Sequence, residues 1–279
     1  MLTRVLTGLV ALCVLIPVLI FSSTPVLPVG IAVVAVICLY EIFKCVGMEK
    51  KAAIVIPPYI FALVSPFLIR YMENRVHFAM IAFLAGALYL LYLFPLVIWS
   101  HGRLSFSHVL TTYALTVYIL AALLSILYIR DFQASGKYIY LLIFIGAWTT
   151  DVFAYFTGFL FGKHKLIEDV SPKKTVEGSI GGILFCALGF ALLGIVVDLW
   201  FEQNANILFL VISGVIVSII SQIGDLIMSV IKRHYGIKDY GKIFPGHGGM
   251  LDRFDSILAV ALGMSAICMF VTLTGIQLM

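Results

Sequence analysis

The chain has 279 residues, of which 62% are hydrophobic and 11% charged, with a formal net charge of +4 and a mean hydropathy of +1.13. Soluble domains carry about 25% charged residues, so this composition excludes a soluble globular domain and points to an all-α, polytopic integral membrane protein. The five cysteines (Cys13, Cys38, Cys45, Cys186, Cys268) lie in or beside apolar runs with no CxxC spacing, which argues against a disulfide framework or a zinc cluster.

Apolar runs long enough to cross a bilayer, roughly 17 to 25 residues each, occur at about 5–21, 26–43, 52–69, 76–98, 109–129, 138–161, 180–200, 206–231 and 256–278. About nine transmembrane helices are therefore expected. The first run follows Arg4 but has no small-residue cleavage site before Ser22-Ser23-Thr24-Pro25. Its apolar core also exceeds the roughly 7 to 15 residues of a signal peptide, so it reads as a membrane helix. Residues 1–137, about five helices, look like a transmembrane scaffold, dimer surface or lipid-facing wall. Within them Pro57-Pro58 and Pro66 mark breaks or kinks.

Lysines and arginines fix the orientation, because they accumulate in short cytoplasmic loops. Taking the N-terminus and alternate loops as one side collects Arg4, Lys44, Lys50, Lys51, Arg103, Lys163, Lys165, Lys173, Lys174, Lys232, Arg233, Lys238, Lys242 and Arg253. The other side holds only Arg70, Arg75, Arg130 and Lys137. The N-terminus is thus expected in the cytoplasm, as are the loops 162–179 and 232–255.

Polar chemistry concentrates from residue 148 onward, and residues 138–279 read as the catalytic region with those two loops. Asp151 sits inside the sixth apolar run, beside Trp148, Thr149 and Thr150. An intramembrane carboxylate is costly unless it is paired, metal-bound or in a wet cavity. A functional role and a packing role both remain open for Asp151. In the loop that follows, "SPKKTVEGSIGG" (171–182) places Lys173 and Lys174 where they can reach substrate phosphates, or simply obey the charge rule. Thr175 is a candidate helix cap, Glu177 a candidate partner for a basic residue, and Gly178, Gly181 and Gly182 permit close helix approach.

Asp225 is a second intramembrane acid, in "IISQIGDLIMSVIKR", flanked by Ser221, Gln222 and Gly224. Seven residues before Lys232, it lies roughly 10 Å from the end of its helix, the depth of a lipid phosphate. The loop beyond it gathers Lys232, Arg233, Lys238, Lys242 and Arg253 around the turn Gly246-His247-Gly248-Gly249. Such a turn brings backbone amides close to an anion. Asp252 and Asp255, three residues apart, share one helix face. Carboxylates of this kind suit Mg²⁺, which takes one or two of them plus substrate phosphates. Asp225, Asp252 and Asp255 are therefore the expected metal set, and the pattern as a whole describes a polyphosphate site.

The stretch "SVIKRHYGIKDYGKIFPGHGGMLDRFDS" (229–256) resembles the signature of the phosphatidate cytidylyltransferase family. Ser229, Lys232-Arg233, Lys238-Asp239, His247-Gly248-Gly249, Asp252-Arg253 and Asp255 fill its positions. Residues 171–182 and "DVFAYFTGFLFGKHKL" (151–166) are similar to two further family segments.

The resemblance implies CTP and phosphatidate as substrates, CDP-diacylglycerol and pyrophosphate as products, Mg²⁺ with a stimulating monovalent cation such as K⁺, and a homodimer. It implies no nucleic-acid partner, and an inner-membrane enzyme with its active site facing the cytoplasm. On this reading Asp225, Asp252, Asp255, Lys232 and Arg253 are catalytic. Lys173, Lys174, Arg233, Lys238, Asp239, His247, Gly248 and Gly249 bind substrate. The phosphate monoester of phosphatidate is already mostly ionised near neutrality, its second pKa being about 6. His247 is then a phosphate or cytidine donor or a turn residue before it is a base. Two alternatives stay open: a CTP-dependent polyprenol or dolichol kinase, and a transporter or flippase. Pyrophosphate release, CDP release or no turnover distinguishes the three.

Overall fold

The computed structural model describes every residue except Met1, Gln203, His247 and Gln277, with residues 2–7 described as backbone alone. Nearly all regular structure is helical: α1 (Leu2–Ile20), α2 (Val26–Val46), α3 (Ala52–Tyr71), α4 (Arg75–Trp99), α5 (Phe106–Arg130), the short α6 (Gly136–Ile139), α7 (Leu141–Phe161), α8 (Val176–Phe201), α9 (Ile207–His234) and α10 (Leu251–Thr274). Between α7 and α8 stands one antiparallel hairpin, β1 (Lys165–Ile167) and β2 (Ser171–Thr175).

Among the described residues, eight helical spans are long and apolar enough to cross a membrane, with α6 and α7 forming one continuous span. The first expected span coincides with α1, a 19-residue helix of which Gly8–Ile20 is the fully described apolar part. Side chains exposed to lipid explain why apolar residues cover the surface: Phe83 is 80% exposed and Trp99 73%. Without water to receive them, backbone amides in a bilayer must bond internally, and helices do this within one segment.

Local sequence sets the helix ends. Gly47 takes a left-handed conformation (φ 75°), and Met48 N–H reaches back to Phe43 O, a Schellman closure of α2. Asn74 caps α4 and Asn206 caps α9, each through its side-chain oxygen. Of the breaks or kinks expected at Pro57-Pro58 and Pro66, no break occurs: α3 runs through all three prolines. Membrane helices tolerate proline because neighbouring groups re-satisfy the freed carbonyls.

The chain divides into two compact units. One comprises residues 1–127 with the loop 237–252, and the other residues 128–236 with 253–279. In the first, α2 packs on α3 and α3 on α4. In the second, α7, α8 and α9 pack mutually.

Candidate active site

In the second unit the close packing of α7 on α8 depends on residues without side chains. A Cβ at Gly178 would meet the Ala154 carbonyl oxygen at 2.5 Å, and one at Gly182 the Thr150 carbonyl at 2.9 Å. The expected role of these glycines in close approach is borne out, as is Thr175, whose hydroxyl accepts the Gly178 N–H at 3.2 Å and caps α8.

Polar side chains then tie the three helices together at the level of the acids. The Thr150 hydroxyl donates to Ser218 at 2.9 Å, joining α7 to α9. Ser179 donates to Gln222 Oε1 at 2.5 Å, and Gln222 Nε2 returns a bond to Ser179 O at 3.3 Å, joining α8 to α9. Beside this layer opens a cleft of about 610 Å³. Asp151, Tyr155, Phe159, Lys163, Lys165, Lys173, Lys174, Ser179 and Gln222 are among the residues that line it. Four lysines over a floor of hydroxyls and a carboxylate favour a multiply charged anion.

Lys174 bends inward, its Nζ 2.5 Å from Asp225 Oδ2, with both side chains 24% exposed. Lys174 also acts electrostatically on Asp151, so one ammonium serves two of the acids. Asp151 accepts a hydrogen bond from the Ser256 hydroxyl at 3.1 Å. Asp255 accepts the N–H of Ser256 at 2.9 Å. Asp151, Asp225 and Asp255 lie within electrostatic range of one another, with Lys232 acting on Asp255 and Lys174 and Arg253 acting on Asp151. Two of the three expected metal carboxylates, Asp225 and Asp255, thus belong to one cluster together with Asp151.

The donor chemistry of that cluster fits Mg²⁺. Among the described residues, no three His, Cys, Asp or Glu side chains converge tightly enough to hold a metal unaided. Mg²⁺ does not require that, since it keeps waters and substrate oxygens alongside one or two carboxylates.

The hairpin is anchored by Glu177. Its carboxylate accepts His164 Nδ1 at 2.6 Å and the N–H groups of Lys163 and His164 at 3.1 and 3.3 Å. The basic residue that Glu177 was expected to partner is thus His164, joined by two amides at the mouth of the hairpin. Lys165 donates to Pro172 O across that hairpin at 2.5 Å, and Lys173 stays exposed.

In the first unit the glycine turn is built into a compact loop. Phe244 N–H donates to Gly248 O at 2.9 Å, and Gly246 and Gly248 have φ of 80° and 85°, which side chains disfavour. Asp252 Oδ2 accepts the N–H groups of Tyr240 and Gly249 at 2.8 and 2.9 Å. Glu41, in α2, accepts those of Met250 and Leu251 at 2.9 and 2.8 Å. Asp252 and Asp255 do occupy the start of α10, three residues apart, although that helix begins five residues earlier than the apolar run. Arg233, Lys238, Asp239 and Arg253 are exposed. His247 lies outside the described residues. Glu41 is the residue that sequence reading passed over.

The whole chain resembles known proteins. Residues 2–271 match the cytidylyltransferase family. A protein of Staphylococcus haemolyticus named phosphatidate cytidylyltransferase is 33% identical over 258 residues, covering 92% of this chain and 95% of the relative. One of the same name from Staphylococcus aureus is 32% identical over the same shares. A third, from Staphylococcus saprophyticus, is 43% identical over 134 residues, covering 48% of this chain and 50% of that protein.

Proposed function

Because this chain belongs to the cytidylyltransferase family, we propose that it transfers the cytidylyl group of CTP to phosphatidate within the membrane. The products are CDP-diacylglycerol and pyrophosphate. The observation that carries the reading is the cluster in which Lys174 faces Asp225 beside Asp151 and Asp255, next to a lysine-lined cleft.

In the reaction, a phosphate oxygen of phosphatidate attacks the α-phosphorus of CTP and the bond to the β-phosphate oxygen breaks. The attacking oxygen is already ionised, since the second phosphate pKa is about 6, so no residue has to remove a proton. The protein's task is positioning and charge stabilisation. Asp225 and Asp255, with Asp151 beside them, are the proposed carboxylates for Mg²⁺. When bound, the ion neutralises charge on the phosphates as the pyrophosphate leaves. The assignment of Asp252 to the same ion rests on its spacing from Asp255. Lys173 and Lys174 are proposed to meet substrate phosphates, as are Lys232, Arg233 and Arg253. Lys238, Asp239, His247, Gly248 and Gly249 enter as substrate-binding residues through the family signature.

The positive-inside bias supports a cytoplasmic N-terminus and a site open to cytoplasmic CTP, hence an inner-membrane location. A homodimer and a stimulating monovalent cation belong to the same proposal by resemblance. Purified protein in detergent, given CTP, phosphatidate and Mg²⁺, should release pyrophosphate and form CDP-diacylglycerol. Release of CDP instead would assign it as a lipid kinase.

A further inference from the structure

We propose that Glu41, in the N-terminal half of the chain, is a positioning residue for the glycine turn and the start of α10. The carboxylate is 1% exposed and lies on α2, some two hundred positions from the loop it holds. Its two oxygens divide the work: Oε1 accepts Met250 N–H and Oε2 accepts Leu251 N–H. Leu251 opens α10, and the first amides of a helix have no partner within it. Glu41 therefore caps α10 from another helix, with the negative charge that a helix start favours.

The loop is shaped to receive this one carboxylate. A Cβ on Gly241 or on Gly249 would collide with the Glu41 side chain, so both positions are closed to larger residues. Asp252 holds the same turn from its other side through Tyr240 and Gly249. Two buried acids, one from inside the loop segment and one from α2, thus hold Tyr240 and the run Gly249–Leu251. The residues that follow at once on α10 are Arg253 and Asp255. A carboxylate whose two oxygens each hold a loop amide acts on geometry, and small displacements at a reacting centre cost large factors in rate.

The inference rests on the proposed reaction only for its activity readout. Glu41→Gln keeps one acceptor and turns an NH₂ group toward the other amide. Loss of a charge-assisted bond of this kind is worth about a tenfold change in a local equilibrium. In the purified full-length protein, hydrogen exchange of the amides of residues 240–251 should therefore speed about tenfold or more, while that of α7, α8 and α9 stays as in wild type. At saturating CTP and phosphatidate, kcat per folded enzyme should fall about tenfold or more. Gly249→Ala, which pushes a methyl group at the same carboxylate, should reproduce the local exchange change if Glu41→Gln proves poorly folded. Unchanged exchange in 240–251, an equal increase throughout the chain, or kcat near wild type in Glu41→Gln would each overturn the proposal. If wild type itself fails to turn over these substrates, the reaction assignment falls and the exchange readout alone decides the role of Glu41.

Discussion

Lys174 Nζ stands 2.5 Å from Asp225 Oδ2, so a cation from the end of the β1–β2 hairpin rests on a carboxylate inside α9. Three acids, Asp151, Asp225 and Asp255, repel one another there, and the ammonium offsets part of that repulsion. A polyphosphate with its metal ion brings the same positive charge to the acids and a better anionic partner to the lysine. On the proposed reaction, substrate binding is then an exchange of partners, with Lys174 passing from Asp225 to phosphate.

The first prediction follows from that pair. Asp225→Asn should lower kcat by about a hundredfold or more, the scale of losing one electrostatic contact made to a transition state, while the protein remains folded and inserted. Lys174→Met should raise the KM for CTP. Thermal unfolding in detergent should show the two changes to be non-additive, with a coupling of roughly 1 kcal/mol for a pair a quarter exposed. Additive effects would remove the ion pair from the account.

A second prediction separates two roles for Asp252. If it serves only to hold Tyr240 and Gly249 N–H, Asp252→Asn should loosen hydrogen exchange in 240–251 and leave the Mg²⁺ concentration for half-maximal activity unchanged. If it also serves the ion, that concentration should rise. The measurement is initial rate against Mg²⁺ for wild type and Asp252→Asn, run beside the exchange experiment. Near-normal turnover with an unchanged Mg²⁺ requirement would remove Asp252 from the metal site, and unchanged exchange would remove it from the loop.

Much of this arrangement was legible before the fold was known, for identifiable reasons. Spans are legible because a bilayer demands long apolar runs, and intramembrane acids such as Asp225 and Asp151 stand out against them. Thr175 was readable as a cap because capping needs only local sequence. Glu41 was not readable. Its helix ends four residues before the charged pair Lys50-Lys51 and carries Lys44 one turn on, so it resembles an ordinary acid near a membrane surface. Its partners are backbone amides more than two hundred residues away, and backbone amides leave no trace in a sequence. The hairpin escaped notice for a related reason: with strands of three and five residues, alternation has no room to declare itself. Its anchor Glu177 lies beyond both strands and bonds to Lys163 and His164 just before β1.

The third prediction concerns packing in the second unit. A Cβ at Gly214 in α9 would lie 2.8 Å from the Cα of Ala187 in α8, against backbone that cannot swing aside. Gly214→Ala should destabilise by about 1 to 3 kcal/mol, the usual range for overpacking, and lower the thermal midpoint in detergent. Gly8→Ala, where nothing lies within 4 Å, should be near neutral. Equal midpoints for the two variants would refute the close α8–α9 approach.

The last prediction tests the chemistry of the nucleophile. If the attacking group is the phosphate monoester of phosphatidate, its dianion is the reactive form, and activity should fall as pH drops through its second pKa of about 6. The sign is fixed: protonation removes negative charge from the attacking oxygen, so the loss lies on the acid side and no residue's titration is needed to produce it. His247→Gln should then retain measurable activity with the same acid limb, because a hydrogen-bond donor at that position survives the substitution. The measurement is kcat/KM against pH for both proteins at saturating Mg²⁺. Complete loss of activity in folded His247→Gln, restored by added imidazole, would mean that a proton must be removed from the nucleophile. A hydroxyl and not a phosphate would then be the attacking group, and the lipid-kinase reaction would take the place of cytidylyl transfer.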